Sequence, residues 1–360
     1  MITNILLTDM KHYFLLFILL LVIITIEGCT EELHPETNGT NSPVLNEGEL
    51  TKAVLDLSVN TFAVEAQAET RASIPSNIPE NETSEEKEVH NIWVFQYDAV
   101  TKELLIKPRY YTITDQIMLQ DLPVYLKAGI PSFVYVVTNT GYDNWANDDT
   151  DTSWQKFKNL EQLKKQTLPT AFPLRSIDKV SIPMVGASEE VEVTTGITVT
   201  VPVTRMYAKL KVKVEMLKAE MKLNNVNVRQ IPNICRIETF AGDGNGEPMN
   251  AVPFPDGTTF SSIAFAASDL ENSEDKEWAV FYVPENLQGE IENQGGNKSD
   301  AAPTNALVVD VTAEIGGEKY LYAAYPGGNS LNNFNIQRNQ VYRMTLTIRK
   351  ARIIHRPTAL

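Results

Sequence analysis

The sequence predicts an all-β protein made of two antiparallel β-sandwich domains with one or two short helices. Short apolar runs recur roughly every ten residues along the chain, and several of them alternate between apolar and polar side chains. Turn-forming Gly, Asn and Pro residues separate these runs. The regular succession of strands and helices that a parallel α/β fold requires is missing from the sequence, which excludes Rossmann-type and TIM-barrel architectures.

The composition fits a chain with ordinary hydrophobic cores. Of the 360 residues, 43% are hydrophobic and 21% are charged, which is enough to bury two cores of the usual kind. The formal net charge of −15 would repel the phosphates of a nucleic acid, so no nucleic-acid partner is expected. The other cysteine, Cys29, is predicted to carry lipid, so Cys235 would have no disulfide partner. Because Cys235 lies in a strand-like run, it is expected to be a buried apolar thiol.

The first 28 residues have the features of a secretory signal. An uncharged apolar run, residues 14–24, follows a basic flank and ends close to the small residue Gly28. The run is shorter than the roughly 20 residues that a membrane-spanning helix needs. Cys29 comes next, and this junction resembles the lipobox of bacterial lipoproteins, which implies cleavage before Cys29 and its lipidation. The alternative is an uncleaved membrane anchor with an incidental cysteine, and in both cases the chain is tethered outside the cytoplasm.

The remaining chain is expected to form a tether and two domains. Residues 29–48 are rich in Gly, Pro and Asn, which predicts a flexible tether. The N-terminal β-sandwich domain is predicted to span 49–204 and the C-terminal one 205–360. In the segment 208–214, lysines alternate with apolar residues, which predicts a half-buried strand with its lysines on the outer face. The strand-like segments are 53–59, 89–97, 104–106, 110–113, 117–126, 132–137, 191–203, 208–214, 223–237, 278–283, 307–313, 320–325 and 340–348.

One segment has the period of a helix. Its apolar residues recur every three positions, with lysines and glutamines between them. This pattern predicts an amphipathic helix of two to three turns that packs on a sheet. The residues that define it are Trp154, Phe157, Leu160 and Leu163.

Nothing in the sequence predicts an enzyme, a metal site or a cofactor site. The acidic segment 142–153 contains the alternation Asp149-Thr-Asp151 but lacks the glycine of a calcium loop, so a solvated loop is favoured. The glycine-rich segment 242–246 is not followed by a helix, as a phosphate-binding loop would be. No G-x-S-x-G nucleophile motif is present. The histidines are too dispersed for a zinc or catalytic cluster: His12, His34, His90 and His355.

Several short motifs follow one another along nearly the whole chain after the signal. They are Gly28-Cys29, the first strand-like segment 53–59, Thr70-Arg71-Ala72, the strand His90–Tyr97, Ile182-Pro183-Met184, Arg205 with Ala208-Lys209, Phe281-Tyr282-Val283-Pro284-Glu285-Asn286 and Phe334 to Asn339 with Tyr342. In this order they resemble the fimbrillins of the Bacteroides type, which are pilus subunits made as lipoproteins. The resemblance implies two transthyretin-like β-sandwich domains. It also implies that a trypsin-like protease cuts after an arginine behind the first strand, and that a strand of the next subunit fills the groove left by this removal.

Arg71 is the candidate processing site, with Ala72 as the first residue of the cut chain. Arg71 lies in a loop-like segment between the first two predicted strands, and a protease needs such an extended, unpacked segment. The next arginine, Arg109, lies beside strand residues. The alternative is that Arg71 is an ordinary surface residue and the chain stays whole. The acidic residues that follow Cys29 resemble the signal that sends lipoproteins of this group to the outer face of the outer membrane.

The expected function is that of a structural subunit of a cell-surface fimbria that supports adhesion. Its partners would be other fimbrial subunits, the outer membrane through the lipid on Cys29, and receptors on host or bacterial surfaces. The candidate donor strand is 340–348 with the tail 349–360. One alternative is an uncut anchor or tip subunit. Another is a glycan- or matrix-binding lipoprotein of the same fold, in which Tyr142, Trp145, Trp154 and Trp278 would stack on sugars.

Overall fold

The computed structural model describes residues 49–64, 82–113, 119–141, 153–170, 174–175, 182–238, 250–272, 277–292 and 296–349. Within them the chain is mainly β, with two short helices, α1 (Leu160–Lys164) and α2 (Ala267–Asn272), so the predicted fold class is confirmed. Neither helix has the length and apolar content that crossing a membrane requires. Several predicted features lie outside the described residues: the signal segment, the tether, Cys29, Arg71, Ala72, Tyr142, Trp145, the aspartates 149 and 151, residues 242–246 and the tail beyond Arg349.

The strands are numbered in chain order. They are β1 (Leu50–Val59), β2 (Ala63–Val64), β3 (Asn91–Asp98), β4 (Arg109–Thr112), β5 (Leu122–Lys127), β6 (Pro131–Thr138), β7 (Thr167–Pro169), β8 (Leu174–Arg175), β9 (Met184–Ala187), β10 (Val191–Glu192), β11 (Thr198–Arg205), β12 (Tyr207–Met216), β13 (Met221–Pro232), β14 (Ile234–Arg236), β15 (Phe260–Ala266), β16 (Ala279–Pro284), β17 (Val308–Ile315), β18 (Glu318–Ala324) and β19 (Gln340–Ile348).

The first sheet folds back on itself around a single core. Its strands are ordered β4-β3-β6-β9-β11-β1-β5, and β10 pairs with β6. Although β3 and β5 lie far apart in this order, the Gln96 side chain accepts from the Lys127 N–H at 2.7 Å and donates to the Lys127 carbonyl at 2.9 Å. Alternate residues of the strands therefore meet in one apolar cluster, in which Leu55 of β1, Val94 of β3 and Val124 of β5 are all buried.

Strand β1 lies inside this sheet, between β5 and β11. It is antiparallel to β5, from the pair Leu50 and Lys127 onward, and parallel to β11, up to the pair Val59 and Val203. Most pairs in the protein are antiparallel, as predicted, but β1–β11, β12–β19 and β2–β19 are parallel. The first strand of each half is thus parallel to the last strand of that half: β1 to β11 in the first half, and β12 to β19 in the second.

The second half of the chain contributes a five-stranded sheet, β2-β19-β12-β16-β8, and a four-stranded sheet, β15-β13-β17-β18. Residues such as Leu210, Phe281 and Val309 form the buried core of this half. The lysine-rich strand differs from its prediction, because β12 lies in the middle of its sheet and Lys209 is only 4% exposed. Lys209 is buried because a carboxylate, Glu86, lies against it at 2.8 Å.

A second apolar cluster joins residues from both halves. On β3, Trp93, Phe95 and Tyr97 face away from the first core and contact residues of the segment 153–168, together with Cys235 and Ile237. The four residues that predicted a helix are buried here, but Ser153–Phe157 is a 3-10 turn and only Leu160–Lys164 is α-helical. Asn159 separates the two pieces, since its side chain accepts from the Gln162 N–H and caps α1.

The described strands of the first sheet all end by Arg205, and β12 begins at Tyr207. Two short strands from the first half, β2 and β8, nevertheless pair in the five-stranded sheet of the second half. The division into domains at 204 and 205 stays a prediction.

Candidate functional site

The residues that follow β1 connect the first sheet to the second. Val59 pairs with Val203 of β11, and Ala63 and Val64 then pair with Gln340 and Val341 of β19. We call residues 60–64 the exit segment, because this is where the first strand leaves its sheet. A predicted cut behind Arg71 would free both β1 and the exit segment, so the contacts of this segment bear directly on the predicted processing.

Arg205 lies at the centre of these contacts and is fully buried. Its Nη1 atom donates to the Asn60 carbonyl oxygen at 2.7 Å, and its Nε atom donates to the Glu86 carbonyl oxygen at 2.8 Å. The Phe62 ring lies over the guanidinium, with 4.1 Å between the ring centroid and the Arg205 Cζ atom. The buried Nη2 atom has no hydrogen-bond partner among the described residues. A buried cation therefore depends on the exit segment for an acceptor and for an aromatic face.

Two glutamates complete the charge balance around Arg205. Glu82 Oε1 accepts from the Phe62 N–H at 2.5 Å and lies 3.3 Å from Arg205 Nη1. Glu86 is 2% exposed, and its Oε1 atom contacts Lys209 Nζ at 2.8 Å and accepts from the Tyr282 hydroxyl at 2.6 Å. The partners of Glu86 lie on β12 and β16, so this carboxylate fixes the chain just before β3 against the second half, whereas Glu82 holds the exit segment.

The environment shifts the pKa values of this ion cluster. Burial alone would raise the pKa of Glu82, but hydrogen bonds from Lys87 and the Phe62 N–H, with the charges of Arg205 and Lys87, outweigh it and hold this pKa below its usual value. Burial lowers the pKa of Arg205, and the carboxylates of Glu82 and Glu86 oppose that shift. Because a guanidinium titrates far above neutrality, Arg205 stays charged.

The motif that ends at Asn339 supplies the other side of the site. Asn339 donates from Nδ2 to the Thr61 carbonyl oxygen at 2.8 Å, and its own carbonyl accepts from the Ala63 N–H at 2.9 Å. Its φ of 56° is left-handed, a conformation that asparagine tolerates better than most residues. Arg338 forms an ion pair with Glu285 at 2.9 Å. Arg205, Lys209 and Asn339, which belong to two of the fimbrillin-like motifs, therefore contact the exit segment.

The structure does not describe the predicted site residues themselves, since Cys29, Arg71 and Ala72 lie outside its range. It does describe the strand that their processing would release. Sequence reasoning missed Phe62, Glu82 and Glu86, because all three lie between the first two predicted strands, in a part of the chain that was expected to be loop-like. The available signal was Arg205, a cation that ends a strand of alternating valine and threonine and therefore needs carboxylates nearby.

Two of the four residues considered for sugar stacking, Trp154 and Trp278, belong to the described part of the chain. Trp154 is 5% exposed and belongs to the second apolar cluster. Trp278 is half-buried, and Lys211 Nζ lies 5.5 Å from its ring. Cys235 is a buried free thiol, as predicted, and burial raises its pKa. In the described part of the chain, no three His, Cys, Asp or Glu side chains are grouped so that they could hold a metal ion.

Comparison with known proteins gives one family match and several similar structures. A family described as a domain of unknown function, DUF4906, matches residues 281–346, which is less than half of the chain. No curated protein matches the sequence. The tip fimbrial protein Mfa3 from Porphyromonas gingivalis, with a C-terminal truncation, is 15% identical with a TM-score of 0.46, over 82% of this chain and 94% of that one.

A fimbrial assembly protein from Parabacteroides distasonis is 14% identical with a TM-score of 0.44, over 82% of this chain and 90% of that one. Both similar structures are fimbrial proteins, the class that the sequence motifs resemble. At these identities and TM-scores the similarity assigns no activity to the chain.

Proposed function

We propose that the protein is a structural subunit of a cell-surface fimbria that is exported as a lipoprotein on Cys29. A protease cuts after Arg71, β1 and the exit segment leave, and a strand from a neighbouring subunit takes their place. The polymer supports adhesion to host or bacterial surfaces. The chain is expected to have no catalytic role, and the two β-sandwich domains predicted to meet at 204 and 205 form part of the same proposal.

The observation that carries this proposal is the place of β1 in the first sheet. Because β1 lies between β5 and β11, its removal would leave unpaired backbone groups on both sides of one groove. Its buried residues Ala53, Leu55 and Leu57 would leave the core with it. Burial of one leucine side chain contributes about 1.5–3 kcal/mol, so the open groove strongly favours a replacement strand. Backbone ladder bonds would supply affinity, and the side-chain pockets would set the register.

The contacts of β19 argue against this strand as the donor. Strand β19 already pairs with β12 and β2, and its Tyr342 and Met344 are buried in the core of the second half. It cannot leave that sheet without opening the core. The donor is therefore proposed to be an extended end of another subunit rather than β19 itself.

The N-terminus of the protein isolated from the cell surface tests the proposal. We expect Ala72 as the first residue in high-molecular-weight polymers that resist mild denaturation. A chain that begins at lipidated Cys29 and yields no polymer would contradict the cleavage step, and an uncut anchor would then be the better description. Retention of the monomer on glycan arrays would instead favour the glycan-binding alternative.

A further inference from the structure

We infer that Phe62, seated against Arg205 and Glu82, is the anchor that selects which strand occupies the β1 groove. A strand from a neighbouring fimbrial subunit would enter this groove stably only if it carries an aromatic side chain at the position of Phe62. This inference rests on the proposed strand exchange and adds a sequence requirement for the incoming strand.

The Phe62 ring occupies a site built for an aromatic group. It is 6% exposed, and two cations face it: the Arg205 Cζ atom at 4.1 Å and the Lys209 Nζ atom at 5.9 Å from the ring centroid. A buried cation gains from a π-face what an aliphatic side chain cannot provide. Arg205 also retains the buried Nη2 atom without a hydrogen-bond partner among the described residues, so loss of the ring would leave it still less compensated.

The rest of the exit segment is recognised mainly through its backbone. The carbonyl oxygens of Asn60 and Thr61 accept from Arg205 and Asn339, and the N–H groups of Phe62 and Ala63 donate to the Glu82 carboxylate and the Asn339 carbonyl. Such bonds are available to almost any sequence. The side chains at 60 and 61 are exposed, which leaves Phe62 as the buried side chain among residues 60–63. The exposed Asn60 side chain adds one hydrogen bond, from Nδ2 to Thr204 Oγ1 at 2.8 Å, so selection at this end of the groove depends mainly on the buried Phe62.

The contacts define the pattern that an entering strand must match. In β1, the inward residues Ala53, Leu55 and Leu57 alternate, and the aromatic residue follows the last of them by five positions. Without a ring at that position, the entering strand would bury Arg205 and Lys209 against a gap. With a ring, the π-face over Arg205 is restored together with the backbone bonds that any sequence can make. Residues 350–360 of this chain contain no Phe, Tyr or Trp, so the expected partner is a different subunit with this spacing rather than a second copy of this chain.

The test uses the full chain in a form that can be cut on demand. A site for a sequence-specific protease replaces the predicted one, through Arg71→Ala and an insertion behind it, so the experiment is independent of natural processing. After the cut, fluorescent peptides covering residues 49–64 are added, and their uptake is followed by anisotropy and native mass spectrometry. Four peptides are compared: the natural sequence, Phe62→Ala, Phe62→Leu, and Thr61→Ala as the matched control, since the Thr61 side chain is exposed.

We expect the natural and Thr61→Ala peptides to enter with equal affinity. The Phe62→Leu peptide should bind at least about tenfold more weakly, because it keeps the apolar volume but loses the π-face, and Phe62→Ala should bind more weakly still. Equal binding of the natural, leucine and alanine peptides would overturn the anchor and leave strand exchange standing. Binding by the leucine peptide at the natural affinity would overturn the aromatic requirement. Uptake of no peptide at all would overturn both the anchor and the proposed exchange.

Discussion

At the scale of single residues, the fold depends on one buried arginine. Arg205 is fully buried and is compensated by Glu82, by the carbonyl oxygens of Asn60 and Glu86, and by the ring of Phe62. Taking a charge out of water costs several kcal/mol, and only such dense compensation offsets that cost. The exit segment is consequently held by polar contacts as well as by strand pairing.

Replacement of Arg205 should therefore be costly. Arg205→Met keeps the apolar stem but leaves the Asn60 carbonyl and part of the Glu82 charge uncompensated, and we expect a loss of about 3 kcal/mol in the free energy of unfolding. Urea denaturation measures this loss. Lys218→Met is the matched control, because Lys218 is 53% exposed and pairs with Glu220 only at 3.7 Å, so its loss should be at most about 1 kcal/mol. Equal losses in the two variants would contradict the role assigned to Arg205.

Glu82 predicts how stability depends on pH. Its folded-state pKa is lower than normal, so ionised Glu82 stabilises the fold above the ordinary glutamate range, and this contribution is lost as the pH falls through the lowered value. Glu82→Gln should thus be less stable than the natural protein at neutral pH, and the difference should close in acid. Urea unfolding over a pH series measures it, with the exposed Glu220→Gln as control. A difference that stays constant with pH would show that Glu82 is not held ionised by these contacts.

Cys29 is predicted to be the lipid site. Cys29→Ser should abolish acyl labelling and block cleavage of the signal, because the thiol is the atom that carries the lipid. Metabolic labelling with a fatty acid measures the outcome. Cys235→Ser serves as the control and should keep its label, since Cys235 is buried in the second apolar cluster. Full labelling of the Cys29→Ser variant would exclude lipidation at this position.

At the scale of elements, β1 is an integral part of the first sheet rather than an added edge. It has a partner strand on each side, and its inward residues share a cluster with those of β3, β5 and β11. In proteins, a strand of this kind normally cannot be lost without collapse of the core. The proposed processing therefore requires that a replacement strand be available when β1 leaves.

The contribution of β1 to stability can be measured directly. Leu55→Ala should destabilise the uncut protein by about 2–5 kcal/mol, because the side chain is fully buried and the core cannot collapse into the gap. Lys52→Ala on the exposed face of the same strand should change stability by no more than about 0.5 kcal/mol. Thermal or urea unfolding gives both values. If Leu55→Ala were as mild as its control, β1 would not close the core.

At the scale of the whole molecule, the two halves are built on a related plan. In each half, the first strand lies between the last strand, to which it is parallel, and a middle strand, to which it is antiparallel. In the first half, β1 lies between β11 and β5, and in the second half, β12 lies between β19 and β16. In the first half alone, the first strand is followed by a segment with a candidate cleavage site. If Arg71 is the cleavage site, the proposed exchange takes place in the first half.

Polymerisation provides the test at this scale. We expect the natural chain, once exported and processed, to form ladders on a mildly denaturing gel, whereas Arg71→Ala should remain monomeric because β1 cannot leave. Arg109→Ala is the control, since Arg109 lies in β4, and it should polymerise normally. Ladders of equal strength from Arg71→Ala would refute the cleavage step.

Local patterns predicted much of the fold. The alternation of residues 340–348 corresponds to β19, and the apolar residues of the segment 153–164 are buried as expected. The candidate site was harder to predict from the sequence, because its residues are distant along the chain: Arg205 and Asn60 are 145 positions apart. The need for a glycine at position 186 also arises from a distant residue, since a Cβ atom there would lie 1.9 Å from the Pro202 carbonyl oxygen on the neighbouring strand. Nothing in the sequence near Gly186 reveals that close approach.

The sequence by itself determined the all-β class, most strands and the resemblance to fimbrillins, because side-chain alternation and short motifs are properties of neighbouring residues. Only the tertiary structure decided that β1 runs parallel to β11 inside its sheet, that Lys209 is buried, and that Phe62 covers Arg205. The physical reason is that burial of a charge depends on which distant groups compensate it. Such partners are chosen by the packing of the whole chain and not by local propensity.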